Sequence, residues 1–160
     1  GRAVEPLRGH NGAINAMAYT FDSNVLASAG GDGKVFLWDT WKYRSIRNFN
    51  AHNGDVLSVD ISKANEIVTS GNDGLTKRWG MDGKEINKFE NLGDWAYQTV
   101  FGKDGGVVAS GNWGGAVAVW NTTDAARVAT LTTNPEPVQP EDASMKVAAD
   151  SAAADAAGAP

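Results

Sequence analysis

The chain has 160 residues and a net charge of −5, and it contains 19 glycines, six tryptophans and no cysteine. The lack of cysteine excludes disulfides, thiolate metal sites and a cysteine nucleophile. No apolar segment approaches the ~20 residues that cross a bilayer, and no basic stripe offers the clustered Lys and Arg that nucleic-acid phosphates require. The high glycine content, together with the tryptophans, favours short strands joined by tight turns.

Residues 9–50 are predicted to form four short strands, because apolar and polar side chains alternate between Gly- and Asp-rich turns. The predicted strands are Ile14–Tyr19, Leu26–Ser28, Lys34–Trp38 and Ser45–Phe49. Four short strands in succession, joined by tight turns, are typical of an antiparallel sheet.

The same pattern recurs in residues 51–91 and 92–132. Trp38, Trp79 and Trp120 lie 41 residues apart, and each ends a predicted third strand. A four-stranded unit of about 40 residues, repeated along the chain, is the pattern of a propeller blade.

The repeats resemble the WD-repeat family. The first repeat opens with Gly9-His10 and ends its third strand with Trp38-Asp39, as in the signature of that family. The third repeat departs from the signature, since Leu92 lies where the His would be and Gly114 where the Asp would be.

The resemblance implies an all-β fold, a β-propeller in which the repeats are three four-stranded blades of a larger, seven-bladed ring. Residues 1–8 would be the outer strand of a preceding blade. Residues 133–160 are rich in Ala, Pro and acids and are predicted to be a flexible, disordered tail. Because three blades cannot close a ring, we expect either the C-terminal part of a longer protein or a second chain that supplies the remaining blades.

His10, Ser28 and Asp32 are the residue types of a catalytic triad. The resemblance to WD repeats implies a different role, in which these three side chains and a Trp form a buried, hydrogen-bonded tetrad. A hydrolase needs one active site, whereas a scaffold needs one tetrad per blade. We therefore predict no catalytic residue, no metal site and no cofactor. The predicted structural tetrad residues are His10, Ser28, Asp32 and Trp38, then His52, Thr69, Asp73 and Trp79, and in the third blade only Ser110 and Trp120.

Two further tryptophans, Trp95 and Trp113, lie beside turns that share one face in the family. Exposed Trp is a common interface anchor, so both are candidate partner-binding residues. The alternative is that they fill the space left by the missing His and Asp of the third blade. Trp41 and Tyr43, in the opposite loop, are a second candidate.

The predicted function is a non-catalytic scaffold that binds a protein or peptide partner through a propeller face. The alternative is an accessory subunit of a larger assembly in which these blades complete a propeller. The last repeat, with Thr133-Asn134-Pro135 after it, resembles the final repeat of bacterial WD-repeat proteins that are sometimes fused to c-type cytochrome modules. That resemblance favours the bacterial periplasm over the cytoplasm and a redox assembly as the context.

Overall fold

A computed structural model describes residues 6–132, which form three four-stranded antiparallel sheets, called blades 1 to 3 here. Within each blade the strands lie side by side in chain order. The predicted all-β fold of four-stranded blades is confirmed. The strands are β1 (Ile14–Tyr19), β2 (Val25–Gly30), β3 (Lys34–Asp39) and β4 (Arg44–Asn50) in blade 1, β5 (Val56–Ile61), β6 (Glu66–Gly71), β7 (Thr76–Gly80) and β8 (Glu85–Lys88) in blade 2, and β9 (Ala96–Phe101), β10 (Val107–Asn112), β11 (Ala116–Asn121) and β12 (Arg127–Thr132) in blade 3.

The predicted flexible tail, residues 133–160, lies outside the described residues, as do residues 1–5 of the predicted outer strand. Residues 6–8 are described and belong to no strand. In the part of the chain that the structure describes, no helix is long and apolar enough to cross a membrane.

The turn between the second and third strands is built the same way in every blade. Gly33 and Gly74 both have a φ of +76°, and Gly115 has a φ of +85°. Only glycine adopts this left-handed region at no steric cost. A Cβ on Gly33 would also lie 2.7 Å from the carbonyl oxygen of His52 in the next blade. The glycine therefore allows both the turn and the close approach of blade 2.

A β-bulge interrupts the first pair of strands in each blade. In blade 3, Gly111 pairs with Gln98 and Asn112 with Ala96, so Tyr97 has no residue opposite it. Asn15 and Leu57 are skipped in the same way in blades 1 and 2. Because a bulge changes the direction of a side chain, it decides where the Tyr97 ring points.

The apolar core lies between neighbouring blades. Ala27 and Leu37 of blade 1 pack in one cluster with Val59 and Trp79 of blade 2. A second cluster joins blades 2 and 3, and its buried members are Val68, Phe89, Val108, Ala118 and Trp120. Each blade is thus stabilised mainly by packing against the next, as expected for a repeat architecture.

Polar contacts fix how blade 3 lies against blade 2. Arg78 donates to both carboxylate oxygens of Glu66 within its own blade, at 2.6 and 3.0 Å, and also donates to the carbonyl oxygen of Thr122 in blade 3. The backbone N–H of Phe101 donates to Oδ2 of Asp60 at 2.8 Å. Directional bonds of this kind set the register between two sheets that apolar packing alone would leave free to slide.

Candidate functional site

The structure brings together the four polar side chains of blade 1. Nδ1 of His10 lies 2.9 Å from Oδ1 of Asp32, and its Nε2 lies 2.8 Å from Oγ of Ser28. The indole N–H of Trp38 donates to the same Ser28 oxygen at 2.8 Å. The Ser28 hydroxyl therefore donates to the imidazole and accepts from the indole, which uses its hydrogen atom and one lone pair.

Blade 2 repeats this arrangement with a threonine hydroxyl. His52 lies 2.8 Å from both the Asp73 carboxylate and the Thr69 hydroxyl, and Trp79 donates to Thr69 at 2.9 Å. Thr69 is fully buried, and Ser28 is buried as well. Neither hydroxyl can reach a substrate while the blades stay packed.

Each tetrad carboxylate also joins a loop to a turn. Asp32 accepts from the backbone N–H of Asn11 at 2.9 Å and of Lys34 at 3.2 Å. Burial by itself would raise the pKa of Asp32, but these N–H groups and His10 lower it below the ordinary value of 3.8. The ionised carboxylate thus holds the loop before β1 against the turn before β3.

Burial also controls the charge of the blade 2 tetrad. It lowers the pKa of His52 below the ordinary value of 6.5, although the nearby Asp73 carboxylate opposes the shift. Burial would raise the pKa of Asp73, but the interaction with His52 and two backbone N–H groups lower it below 3.8. At neutral pH the pair is therefore a neutral imidazole and an ionised carboxylate.

Blade 3 has only two of the four residues, and they do not bond to each other. Ser110 accepts a hydrogen bond at 3.0 Å from the hydroxyl of Thr76, which belongs to blade 2. The buried indole N–H of Trp120 has no hydrogen-bond partner among the described residues. The Ser110 hydroxyl is therefore bonded to the neighbouring blade, whereas the equivalent hydroxyls, Ser28 and Thr69, are bonded within their own blades.

Asn112 makes some of the hydrogen bonds that the missing Asp would make, although it is not among the predicted site residues. Its Oδ1 accepts from the backbone N–H of Ala116 at 2.7 Å, and its Nδ2 donates to the carbonyl of Leu92 at 3.2 Å. Blades 1 and 2 have glycine here, and a Cβ on Gly30 would lie 2.5 Å from Nδ1 of His10. With Leu92 in place of the His, that conflict is absent. The signal in the sequence was a glycine in two repeats and an asparagine in the third.

Trp95 and Trp113 in blade 3 correspond to Ala13 and Gly31 in blade 1 and to Asp55 and Asn72 in blade 2. The backbone N–H of Trp113 donates to the carbonyl of Trp95 at 2.9 Å, and the corresponding bonds join Gly31 to Ala13 and Asn72 to Asp55. Trp95 is 52% exposed and Trp113 70% exposed. About half of Trp95 and most of Trp113 are therefore in contact with solvent, which favours the partner-binding interpretation over the alternative that these rings fill the space of the missing His and Asp.

A third exposed ring completes an aromatic patch, defined as Trp95, Tyr97 and Trp113. The Tyr97 ring centre lies 5.8 Å from that of Trp113, with the rings tilted by 53°. Beside Trp95, an open groove of about 440 Å³ runs between blades 2 and 3, and Asp94 and Asn91 form part of its wall. Sequence alternation could not find Tyr97, because its direction depends on the bulge.

Trp41 and Tyr43 are also exposed, at the other end of the blades. They lie in the loop between β3 and β4, whereas Trp113 follows β10 at the opposite edge. The Trp41 indole donates to Oδ1 of Asn24 at 2.7 Å, which ties the ring to its own blade. These two residues form a separate surface from the aromatic patch.

Within residues 6–132, no group of three or more His, Asp or Glu side chains is placed to hold a metal ion. Both histidines of the chain, His10 and His52, are engaged in the tetrads.

Replacing a tetrad Trp by Phe is expected to have unequal effects in blades 2 and 3. Both changes remove the same volume from a core, but Trp79→Phe also removes a hydrogen bond to Thr69, worth about 0.5–1.5 kcal/mol. Trp120→Phe removes an N–H that donates to none of the described residues. Urea unfolding of the two variants should show the larger loss for Trp79→Phe, and equal losses would contradict this account.

Acidification is expected to destabilise the chain through blade 2. The pKa of His52 is lower in the folded state than in the unfolded one, so the unfolded chain binds the proton first as the pH falls below 6.5. Unfolding free energy should therefore decrease from about pH 7.5 to about pH 5, and less so in His52→Gln. Chemical denaturation across this range measures the slope, and an equal slope in the variant would refute the assignment.

Comparison with known proteins agrees with the repeated blades. Residues 1–39 and 43–80 match the family model described as WD domain, G-beta repeat. The chain is 30% identical over 126 residues to the small ribosomal subunit protein RACK1y of Oryza sativa subsp. japonica, covering 73% of this chain and 37% of that protein. It is 26% identical over 132 residues to the guanine nucleotide-binding protein subunit beta of Saccharomyces cerevisiae, covering 78% and 31%.

The fold is similar to that of U3-55K, with a TM-score of 0.76 and 21% sequence identity over 80% of this chain and 42% of that one. The chain spans less than two fifths of the two curated relatives above. Two blades match the repeat model in sequence, and the third has the same four-stranded architecture. This chain therefore belongs to the WD-repeat family.

Proposed function

We propose that this chain is a non-catalytic part of a β-propeller that binds a protein or peptide partner through the face carrying the aromatic patch. The observation that carries the proposal is the exposure of Trp95 and Trp113 at matching positions, where blades 1 and 2 have small or polar residues. A partner that covers large aromatic rings removes their apolar surface from water, and such rings are frequent anchors of interfaces.

The environment of the hydroxyl groups supports a role without chemistry. Ser28 and Thr69 are buried, and each is bonded to an imidazole and an indole. The arrangement occurs twice in the chain, which fits one structural unit per blade better than a single active site.

The relatives also support a role in assemblies. Two of them are named as a guanine nucleotide-binding protein subunit and a small ribosomal subunit protein, and these names describe components of larger complexes. The link to cytochrome modules and the periplasmic location stay predictions, since these relatives bear on neither.

The double variant Trp95→Ala/Trp113→Ala is expected to lose the partner while keeping its melting temperature within a few degrees, because half or more of each residue is already in water. The measurement is quantitative affinity capture from cells of the source organism, combined with thermal unfolding. Trp41→Ala is the control, an exposed Trp at the opposite end of the blades. Loss of the partner only in the control, or a large fall in melting temperature in the double variant, would contradict the proposal.

A second candidate, a component of a propeller completed by further blades, is favoured by uncovered apolar faces at both ends of the array. Met17 of blade 1 is 63% exposed, whereas Val59, its equivalent in blade 2, is 6% exposed and packs against blade 1. At the other end, Val100 of blade 3 is 44% exposed, whereas its equivalent Ala18 packs against the core between blades 1 and 2. Such faces are costly in water unless something covers them.

Light scattering of the purified chain is expected to show a species heavier than the 16.8 kDa of one chain. The substitutions Met17→Lys and Val100→Lys, each on one end face, should shift that species toward the monomer because a charge cannot be buried unpaired. Val128→Lys, on an exposed outer strand, is the control. A folded wild-type monomer would contradict completion by another chain.

A further inference from the structure

We infer that the aromatic patch and Asp94 together form a site for a basic side chain, Lys or Arg, carried by a peptide segment of the partner. The inference rests on the proposed function and names the chemistry of the partner at the same face. Three observations carry it: the charge of this end of the blades, the free acceptors of one carboxylate, and the aromatic residues on the loops and strands next to it.

The loops at this end of the blades are acidic. They contain four Asp residues and a single Arg, Arg8, which lies at the far side of the array in the segment before blade 1. A surface of one sign attracts a partner of the other and suppresses partners of like charge. The six loop segments are residues 8–13, 31–33, 52–55, 72–74, 91–95 and 113–115.

Asp94 is the carboxylate with acceptors to spare beside the aromatic rings. Its Oδ1 accepts from the backbone N–H of Trp95 at 2.7 Å, and its Oδ2 lies 3.4 Å from where a Cβ of Gly114 would be. No Lys, Arg or His nitrogen lies within 4.0 Å of it among residues 6–132. A carboxylate can accept about four hydrogen bonds, so most of its capacity faces the groove unused.

The other carboxylate of the groove is already engaged. Asp73 accepts from His52 at 2.8 Å and from the backbone N–H groups of Asn53 and Leu75 at 3.2 and 3.1 Å. Three of its roughly four acceptor sites are thus occupied, against one for Asp94, so Asp94 is the better placed of the two for a specific contact to a cation.

The rings provide the second half of a cation site. Trp95 lines the groove together with Asp94, its backbone is hydrogen-bonded to that of Trp113, and the Tyr97 ring lies against the Trp113 ring. The face of an aromatic ring is negative and attracts Lys or Arg, most strongly for Trp. The groove of about 440 Å³ is within the size range of small-ligand pockets, so it has room for the end of a long side chain.

The departures of blade 3 from its repeat produce this combination. The Asp at the second-to-third-strand turn of blades 1 and 2 is buried against a His, and blade 3 has Gly114 there. A larger residue at that position would approach Oδ2 of Asp94, since the Cβ alone would be 3.4 Å away. The carboxylate of blade 3 therefore lies on the open loop beside the rings, where a partner can reach it.

The test is fluorescence anisotropy with short labelled Gly/Ser peptides that differ only in a central residue, which is Lys, Arg, norleucine or Glu. We expect the Lys and Arg peptides to bind about tenfold more tightly than the norleucine peptide, the uncharged analogue of Lys, and the Glu peptide to bind least. Asp94→Asn and Trp113→Ala should each remove most of that preference. Asp104→Asn and Trp41→Ala, both exposed at the opposite end, should leave it unchanged.

Each other outcome separates this inference from the proposed function. Equal binding of the norleucine and Lys peptides, lost in Trp113→Ala, would overturn the cation site while supporting an apolar partner at the same face. Binding of basic peptides that survives Trp113→Ala but is lost in Trp41→Ala would overturn both. No binding of Lys or Arg peptides would overturn the cation site, and partner capture by the Trp95→Ala/Trp113→Ala variant would then decide the proposed function independently.

Discussion

The hydrogen-bonded chain from indole through hydroxyl and imidazole to carboxylate is the constraint on which blades 1 and 2 depend. It begins on the third strand at Trp38, crosses the second strand at Ser28 and ends at the turn and loop that Asp32 holds. In a protein interior such a network is valuable only if every member is bonded, because an unpaired polar group costs about 1–3 kcal/mol. The residue types at four positions distant in sequence therefore depend on one another. Together they hold the loop before the first strand and the turn before the third strand in a defined position.

Blade 3 shows what happens when that constraint is removed. Without the imidazole, the glycine that accommodates it in the other blades is no longer needed, and Asn112 takes the position and caps the turn. Ser110 turns to Thr76 of the neighbouring blade. The result is a blade with the same strands and a different surface, on which Trp95 and Trp113 lie at positions that carry small or polar residues elsewhere.

The period of the sequence was sufficient to predict the strands, and it failed where a side chain depends on its neighbours. Ile14–Tyr19 is a strand as predicted, and Lys34–Trp38 differs from the observed β3 by one residue, because alternation and turn residues act locally. Tyr97 and Asn112 escaped notice for a different reason. Their roles follow from a bulge and from the absence of a ring across a loop, and neither is visible in the residues adjacent to them.

The bonds from blade 2 to blade 3 give the array a direction. Thr76, Asp60 and Arg78 all lie in blade 2 and hold backbone or hydroxyl groups of blade 3. In a linear array, a unit with few internal polar bonds depends on the ordered surface of its neighbour. Local opening of blade 3 breaks none of the hydrogen bonds of the blade 2 tetrad. Opening of blade 2 breaks that tetrad and also removes the groups to which blade 3 is bonded. The aromatic patch is carried by blade 3, so a partner bound to it would oppose the local opening of that blade and protect its amides from hydrogen exchange beyond the contact itself.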